Sequence, residues 1–406
     1  MAANQTNMNT PPRVALIIET SVIYGRRIVN GIARYLRYHS PWSIFLEQHE
    51  LGTQPPAWLS SGKWDGILSR PTNPALAKQF RKMRVPVVDL NDLYDNLDLP
   101  WIGSDHYGIG KTAASYFLER GYKHFAFAGF SNEYWAAQRR EGFCKTVEAN
   151  GFQPAVYESP WHGPEARRWD DDLEDLERWL KQQPQPFALM ACNDVRGLHV
   201  LDVAKRADII VPEQMGVVGV DNEEILCDLC NPPLSSVEPD AEQIGYRAAE
   251  LLDRLMTSRA LKEKPVLIPP LRVITRRSSE ALAIQDRVVA LATRFIRDQA
   301  FKGCTVNDVL RHVHISRTAL ERRFRKQLNR SPQAEIRAVQ LSRVKELLIG
   351  TNYTLERIAE ACGFVHPEYM SVAFKRACKL APGQYRKLHS KQAYGVKQRF
   401  SDSSSE

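Results

Sequence analysis

The last third of the chain contains the same pattern of apolar and polar residues twice, at residues 305–326 and 355–376. In each copy a short amphipathic helix is predicted to end at a tight turn, and a second helix begins directly after it. Each second helix has two inward-facing apolar residues four positions apart: Leu320 and Phe324 in the first copy, Met370 and Phe374 in the second. The pattern predicts an all-α domain with two helix-turn-helix motifs joined by one long helix.

Residues at the predicted turns favour the same interpretation. Gly363 can adopt the left-handed conformation that ends a helix, and Ala359 is small enough to let two helices cross closely. Ser316 is a good N-cap for the second helix of the first copy. One such helix pair could be an ordinary charged surface, but two copies with matching spacing favour a pair of DNA-reading helices.

The outer faces of these helices have the chemistry that a DNA groove requires. Arginine and lysine donate to guanine and phosphate, and glutamate accepts from cytosine. We therefore expect double-stranded operator DNA as a partner. The candidate DNA-contacting residues are Ser316, Arg317, Thr318, Glu321, Arg322, Arg325, His366, Glu368, Ser371 and Lys375.

The charge of the chain is concentrated in this region. The whole chain has a formal net charge of +8, and residues 287–399 hold 23 Lys and Arg against 8 Asp and Glu. That segment therefore carries +15 and the rest of the chain −7. A basic segment gains affinity for a polyanion by displacing counterions from phosphates, and an acidic remainder does not compete for it.

The front of the chain has a different pattern, in which short apolar runs alternate with amphipathic segments. Continuous apolar strands separated by helices predict parallel sheets covered on both faces, and about 260 residues of this pattern favour two lobes. The alternation breaks at residues 275–286. We predict an α/β domain at 13–275, a linker at 276–286, the DNA-binding domain at 287–390, and disordered tails at 1–12 and 391–406.

Polar and aromatic side chains follow several of the predicted strands. Ligands of parallel α/β sheets bind at the carboxyl ends of strands, where carboxylates, amides, an arginine and aromatic rings suit a polyhydroxylated sugar. Any one of these residues could instead cap a helix or form a turn, so the argument is their recurrence at several strand ends. The candidates are Tyr24, Asp105, Trp135, Arg139, Asn193 and Asp221.

Other kinds of site have little support in the sequence. Cys227 and Cys230 have the spacing of half a metal or redox site, but no second pair completes it, so we expect reduced thiols and no metal or cofactor. Neither a phosphate loop nor a nucleophile elbow is present, so we expect no enzyme. The N-terminal residues lack a signal-peptide pattern and no apolar run could span a membrane, so we expect a cytoplasmic protein.

Two resemblances add to this interpretation. The C-terminal region resembles the AraC/XylS family of transcription regulators, on the stretches 315–326, 358–364, 373–376 and 381–386. The front domain resembles the periplasmic-binding-protein-like sugar-binding core of LacI-type repressors, on 103–108, 139–143, 191–194 and 218–222. LacI-type proteins carry a DNA-binding headpiece before this core, and here we expect the C-terminal pair to replace it.

The resemblances imply a sugar-responsive activator whose effector is D-xylose or a related sugar, acting as a homodimer that can contact RNA polymerase. They imply that Asp105, Arg139, Asn193 and Asp221 hold hydroxyls and that Trp135 packs on the ring. Two positions depart from the families: Pro239 stands where LacI-type pockets often have glutamine, and Val372 where AraC-type reading helices often have arginine.

Several questions stay open at this point. The sequence does not choose between activation and repression, nor between epimeric sugars. A sugar receptor for transport and an α/β enzyme are the alternative classes.

Overall fold

The computed structural model describes residues 11–46, 58–94, 97–161, 168–257, 265–280 and 286–387. The tails predicted at 1–12 and 391–406 lie outside these residues, apart from Pro11 and Pro12. The chain forms two compact units, Met1–Ala283 and Ile284–Glu406. The predicted order of an α/β unit followed by an all-α unit is confirmed.

The strands of the first unit are short, and the central ones consist of buried apolar residues. Their bounds are β1 (Arg13–Ile17), β2 (Ser43–Leu46), β3 (Gly66–Ser69), β4 (Val87–Asp89), β5 (Ile102–Ser104), β6 (His124–Ser131), β7 (Pro154–Pro160), β8 (Phe187–Ala191), β9 (Met215–Val220), β10 (Ser235–Glu238), β11 (Val266–Ile268) and β12 (Arg272–Ile274). Every residue of β8 and β9 is buried, as expected for parallel strands covered on both faces.

The helices of the first unit follow the strands in the predicted alternation. Their bounds are α1 (Ile23–Leu36), α2 (Trp58–Ser61), α3 (Pro74–Met83), α4 (His106–Glu119), α5 (Tyr134–Ala149), α6 (Trp169–Lys181), α7 (Asp194–Arg206), α8 (Glu224–Leu229) and α9 (Ala241–Thr257). Local chemistry sets several starts. The Asn73 side chain accepts from the Leu76 amide and Pro74 occupies the first turn of α3.

The strands form two lobes, each built on its own sheet. The first lobe has the parallel order β2-β1-β3-β4, and the parallel pair β5-β11 lies beside it through a bridge between Asp89 and Trp101. The second lobe has the order β12-β10-β9-β8-β6-β7. All of its pairings are parallel except the one between β12 and β10, so the prediction of parallel sheets holds apart from this edge strand.

The chain passes from one lobe to the other between β5 and β6, returns between β10 and β11, and crosses again to β12. In the first lobe, α1 and α9 pack closely over the sheet. A Cβ at Gly31 would lie 2.0 Å from the Glu242 carbonyl oxygen, and one at Gly245 would lie 1.9 Å from that of Ile28. These two positions therefore require glycine for the helices to approach so closely.

The first unit extends past the boundary predicted at residue 275. Ser278 and Ser279 are fully buried. The Ser278 hydroxyl donates to the Val217 carbonyl oxygen at 2.6 Å, and the Val217 amide donates to the Ser278 carbonyl oxygen at 2.8 Å. Residues 276–279 of the predicted linker thus pack with the first unit, and its residues 281–285 lie outside the described residues.

The second unit is all-helical in its described residues. It contains α10 (Arg287–Gln299), a short 3-10 turn (Ala300–Lys302), α11 (Val306–Val313), α12 (Arg317–Leu328), α13 (Pro332–Gly350), α14 (Leu355–Ala361) and α15 (Pro367–Cys378). The pairs α11–α12 and α14–α15 are the two predicted helix-turn-helix motifs, and α13 is the predicted connecting helix.

Caps and turns of the second unit explain its helix boundaries. Thr305 and Asp308 form a capping box at α11, and the Ser316 hydroxyl accepts from the Ala319 amide at the start of α12. Gly363 has φ +71° in the turn of the second motif, as predicted. The turn of the first motif uses His314, with φ +53°, in the same left-handed conformation. Leu320, Phe324, Met370 and Phe374 are fully buried, which confirms the predicted inward faces.

Candidate functional site

A cavity of about 160 Å³ lies between the two lobes, where polar side chains from both approach one another. Five of the six residues predicted to bind a ligand line it: Tyr24, Trp135, Arg139, Asn193 and Asp221. The other lining residues that matter below are Arg70, Asp92, Trp161, Asp194 and Glu223. These five residues follow several different strands and meet at one cavity, as expected from their positions in the sequence.

Arg139 is the central cation of the cavity, and it is almost fully buried on α5. Its guanidinium donates to the Cys192 carbonyl oxygen at 2.6 Å and to the Asp221 carboxylate at 3.2 Å. Its Nε lies 3.3 Å from His106 Nδ1. Burial lowers the pKa of His106, so the ring is neutral and can accept this hydrogen bond. The guanidinium is therefore held in one orientation by three partners.

A second cation, Arg70, enters the cavity from the first lobe. It forms ion pairs with Glu19 and with Asp92, the latter at 2.8 Å, and stacks over the Tyr24 ring at 4.7 Å. Burial acts to raise the pKa of Asp92, but Arg70 and His106 outweigh it and hold that pKa at about 2. Asp92 is therefore an ionised acceptor at the cavity wall.

Sequence analysis missed Arg70 and Asp92. Arg70 directly follows β3, and Asp92 comes three residues after β4. The rule that placed Tyr24 and Asp221 at strand ends could therefore have found both.

Asp221 follows β9 and has an unusual backbone. Its φ is +102° and that of Asn222 is +48°. A non-glycine residue in the first conformation is strained and persists only where its surroundings hold it. The Asp221 amide donates to the Val237 carbonyl oxygen and the Asn222 amide to the Ser236 hydroxyl, at 3.0 and 2.9 Å. This arrangement turns the Asp221 carboxylate toward Arg139.

Asn193 and Asp194 lie together at the start of α7. The Asn193 side chain accepts from the Arg196 amide, so it caps the helix and also lines the cavity. The Asp194 carboxylate accepts from the Ser236 hydroxyl at 2.7 Å and from the Glu223 amide at 2.9 Å. Burial, with the nearby charge of Asp221, raises the pKa of Asp194 to about 7. This carboxyl thus carries its proton far more readily than an ordinary one.

Aromatic rings cover one side of the cavity. The Arg139 guanidinium stacks on Trp135 at 4.8 Å, and the Trp135 indole donates to Glu133 at 2.9 Å. Trp161 stacks on Phe130 with ring centroids 4.6 Å apart and meets Trp135 edge-on. The Tyr24 hydroxyl lies 2.8 Å from that of Ser104. These contacts fix flat apolar surfaces beside the charged groups.

Asp105 is not brought into this cavity. Its carboxylate accepts from the Gly108 amide at 2.7 Å and caps α4. It lines a second cavity of about 280 Å³, together with Tyr94, Trp101 and Tyr134. Asp105 therefore starts a helix and does not line the first cavity, and the sugar-binding role expected for it stays a prediction. Pro239 is buried after β10 and does not line the first cavity.

The first cavity can bind a neutral polyhydroxylated molecule. Carboxylate and amide oxygens accept from hydroxyls, the two guanidinium groups donate to them, and the indole rings can cover a face of C–H bonds. Within the described residues no cluster of three or more His, Cys, Asp or Glu is placed to hold a metal ion. No helix in the described part of the chain is long and apolar enough to cross a membrane.

The second unit presents the predicted DNA-contacting residues on α12 and α15 and at the two N-cap positions that precede these helices. Those that are exposed are Ser316, Arg317, Thr318, Arg322, Arg325, His366, Glu368 and Lys375, and Glu321 and Ser371 are half-buried. Arg317 lies 3.2 Å from Glu321 one turn later. Ser316 also caps α12, so its hydroxyl already has one partner.

Comparisons with known proteins match both units. A family model described as a XylR N-terminal domain matches residues 13–103, one described as a periplasmic binding protein-like domain matches 114–279, and one described as a helix-turn-helix domain matches 309–388. The chain is 31% identical to the xylose operon regulatory protein of Haemophilus influenzae, over 92% of this chain and 98% of that protein. It is 32% identical to the protein of the same name from Escherichia coli K12, over 93% and 97%.

Solved structures agree with this. A structure described as the xylose-binding transcription activator xylR matches with a TM-score of 0.80 at 31% identity, over 94% of this chain and 99% of that one. A LacI family regulator from Enterococcus faecium with bound ribose shares the fold of the first unit, with a TM-score of 0.54 at 17% identity. The alternatives of a transport receptor and an enzyme do not stand, because the relatives that match over nearly the whole chain are transcription regulators. The chain belongs to the family of xylose operon regulatory proteins, DNA-binding transcription regulators that are not enzymes.

Proposed function

We propose that this regulator senses D-xylose in the cleft between the lobes of its first unit and activates transcription by binding operator DNA through α12 and α15. The observation that carries the proposal is the buried Arg139, which reaches the Asp221 carboxylate at 3.2 Å and lies on the Trp135 ring. A guanidinium, a carboxylate and an indole at one point are the groups that a pyranose needs for its hydroxyls and its C–H face.

The site residues divide by role in this proposal. Asp92, Asn193 and Asp221 accept from sugar hydroxyls, and Arg70 and Arg139 donate to them. Trp135 and Trp161 cover the ring. Xylose is chosen over other pentoses because the two similar bacterial proteins are named for the xylose operon. Epimeric pentoses differ in the orientation of one hydroxyl and hence by one hydrogen bond. The experiment below therefore compares D-xylose with other pentoses.

DNA binding in this proposal is by a homodimer in the cytoplasm. Two chains would present four reading helices, two for each half-site. We expect an operator of two half-sites separated by whole turns of about 10.5 base pairs. Closure of the two lobes on the sugar would change how the two basic units are presented to one duplex. Activation would then require RNA polymerase to contact the bound dimer.

The test measures affinity of the full-length protein for a duplex with two half-sites and for one with a single half-site, each with and without D-xylose. The duplexes are those that the protein selects from a randomised library. We expect D-xylose to raise affinity for the full site by about 5- to 150-fold, a coupling of about 1–3 kcal/mol, and to change the single half-site little. L-arabinose and D-ribose at the same concentrations are the comparison.

Three outcomes would contradict parts of the proposal. Equal enhancement on both duplexes would place the signal within one DNA-binding unit. A larger effect of another pentose would change the effector. Sedimentation of the DNA-free protein as a monomer at micromolar concentration would contradict the proposed homodimer.

A further inference from the structure

The two helix-turn-helix motifs present different chemistry at the same position of their reading helices. The buried pairs Leu320 with Phe324 and Met370 with Phe374 align α12 with α15 at a constant offset of fifty residues. In this alignment Arg322 corresponds to Val372. Both side chains are exposed and lie opposite the buried pair of their own helix.

Two valines are exposed in the part of the second motif that faces bases, beside polar residues. In helix-turn-helix proteins the first residues of the reading helix contact base edges. Around Val372 these residues include Glu368 and Tyr369, and Val365 precedes the helix. Val365 is 86% exposed, and Tyr369 and Val372 are each 57% exposed.

Basic residues come only later on this helix. Between residues 361 and 374 the sequence contains no Lys or Arg, and Lys375 and Arg376 follow. The corresponding residues of α12 are Arg325 and Lys326, so the two helices share the basic end and differ in the base-facing half. The shared end suits phosphate contacts, which place a helix without reading sequence.

Exposed valines on a groove-facing helix or in the turn before it, such as Val372 and Val365, need an apolar partner when the helix is bound. The major groove offers one apolar group that distinguishes bases, the C5-methyl of thymine. Arginine at the equivalent point instead suits the two acceptors of guanine.

We propose that α12 and α15 read different bases: Arg322 reads guanine in one half of each site, and Val372, with Val365 beside it, reads thymine methyls in the other half. The inference rests on the DNA binding proposed above and deepens it by giving the base chemistry of each motif. It makes Val372 a specificity-determining residue, although it can form no hydrogen bond to a base.

The experiment removes single groups from the DNA. Full-length protein first selects duplexes from a randomised library, and each thymine of the selected site is then replaced by uracil, which lacks only the methyl group. We expect about a fourfold loss of affinity at one or two thymines of one half-site, equivalent to about 0.8 kcal/mol for one methyl-sized contact. Val372→Ala should bind the thymine and uracil duplexes equally, whereas Val372→Thr, which keeps one methyl group, should retain the difference.

The matched control acts on the other motif. Replacing guanines by 7-deazaguanine removes the N7 acceptor, and this should weaken wild-type binding in the half-site that is insensitive to uracil. Arg322→Ala should lose that sensitivity and keep the response to uracil. Both positions are on exposed helix faces, and far-UV circular dichroism checks that the variants fold.

Each outcome decides the inference. A selected site at which no uracil substitution depends on Val372 would overturn it while leaving the proposed function intact. A Val372→Ala variant that loses transcription activation but binds both duplexes like the wild type would make this face a protein-docking surface and overturn it as well. If the protein selects no sequence at all, the proposed function fails and the inference fails with it.

Discussion

Arg27, on the first helix of one lobe, donates to the main-chain carbonyl oxygen of Asp221 on the other lobe at 3.1 Å. The same guanidinium donates to the Asn222 carbonyl oxygen at 3.0 Å and lies 3.8 Å from Glu238. It therefore joins the two lobes at the strained residue whose carboxylate faces Arg139. A group that does not line the cavity thus holds the backbone of one that does.

We predict that Arg27→Ala weakens D-xylose binding by about tenfold, without removing any contact to the sugar. Charged hydrogen bonds of this kind contribute about 1.5–3 kcal/mol, and part of that holds Asp221 in place. Calorimetric titration of the full-length variant measures the change. Arg206→Ala, which removes an exposed cation paired with Asp202, is the control and should bind like the wild type. Unchanged affinity of Arg27→Ala would show that the Asp221 conformation needs no support from the other lobe.

The two aspartates predicted from strand ends should differ sharply. Asp221→Asn tolerates the positive φ better than alanine would, but it removes the charge facing Arg139. We expect a loss of about 2–3 kcal/mol in D-xylose binding, or about 30- to 150-fold. Asp105→Asn keeps a capping oxygen for α4 and should bind the sugar normally, because Asp105 lines the other cavity. Equal losses of D-xylose affinity in the two variants would show that Asp105 also contributes to sugar binding.

These residues show how far the sequence alone reaches. The alternation of strands and helices, the strand ends and the repeated turn pattern are local signals, and they predicted both units and five of the cavity residues. Asp105 follows a strand just as Asp221 follows one. Whether such a carboxylate turns into a cleft or back onto the next helix depends on loop geometry that the sequence pattern does not contain.

The remaining misses depend on contacts between distant residues. The strand-end rule can reach Arg70 and Asp92 one at a time. The sequence does not show that β1, β3 and β4 bring Glu19, Arg70 and Asp92 together as ion pairs. The serines at 278 and 279 look like linker residues by composition. They instead satisfy buried groups of strands more than forty residues away in sequence, Val217 and Ser235.

The stability of the first unit should depend on pH through Asp194. Its pKa is about 7 when folded and near the ordinary 3.8 when unfolded, so the folded state binds the extra proton between these values. The stabilisation is full below about pH 4 and is lost as pH rises through 7, with a slope of up to about 1.4 kcal/mol per pH unit. Burial lowers the pKa of His106, and that of His199 to about 4, which gives slopes of the opposite sign.

Because several groups titrate, the measurement compares the free energy of unfolding of the wild type with that of Asp194→Asn as a function of pH. All eight tryptophans lie in the first unit, so tryptophan fluorescence during unfolding reports on that unit. We expect wild type to lose stability relative to Asp194→Asn as pH rises from 5 to 7, because asparagine cannot titrate. Parallel pH profiles of the two proteins would show that Asp194 ionises normally.

Two glycines of the second unit form a matched pair for the turn that precedes α15. Gly303 and Gly363 have φ of +81° and +71°, so an alanine at either position adopts a left-handed conformation at a cost of about 1 kcal/mol. A Cβ at Gly303 meets nothing within 4 Å, whereas one at Gly363 would lie 2.4 Å from the Ala300 carbonyl oxygen. We expect Gly303→Ala to cost about 1 kcal/mol and Gly363→Ala about 3 kcal/mol, because overpacking against backbone adds to the strain.

Far-UV circular dichroism during urea unfolding measures both variants, with tryptophan fluorescence showing that the first unit unfolds as in the wild type. Because Gly363 sets the direction in which the chain enters α15, Gly363→Ala should also weaken binding to the selected operator while leaving D-xylose affinity unchanged. Equal destabilisation by the two alanines would mean that the 2.4 Å approach to Ala300 relaxes at little cost, and that only the left-handed backbone, common to both turns, requires glycine.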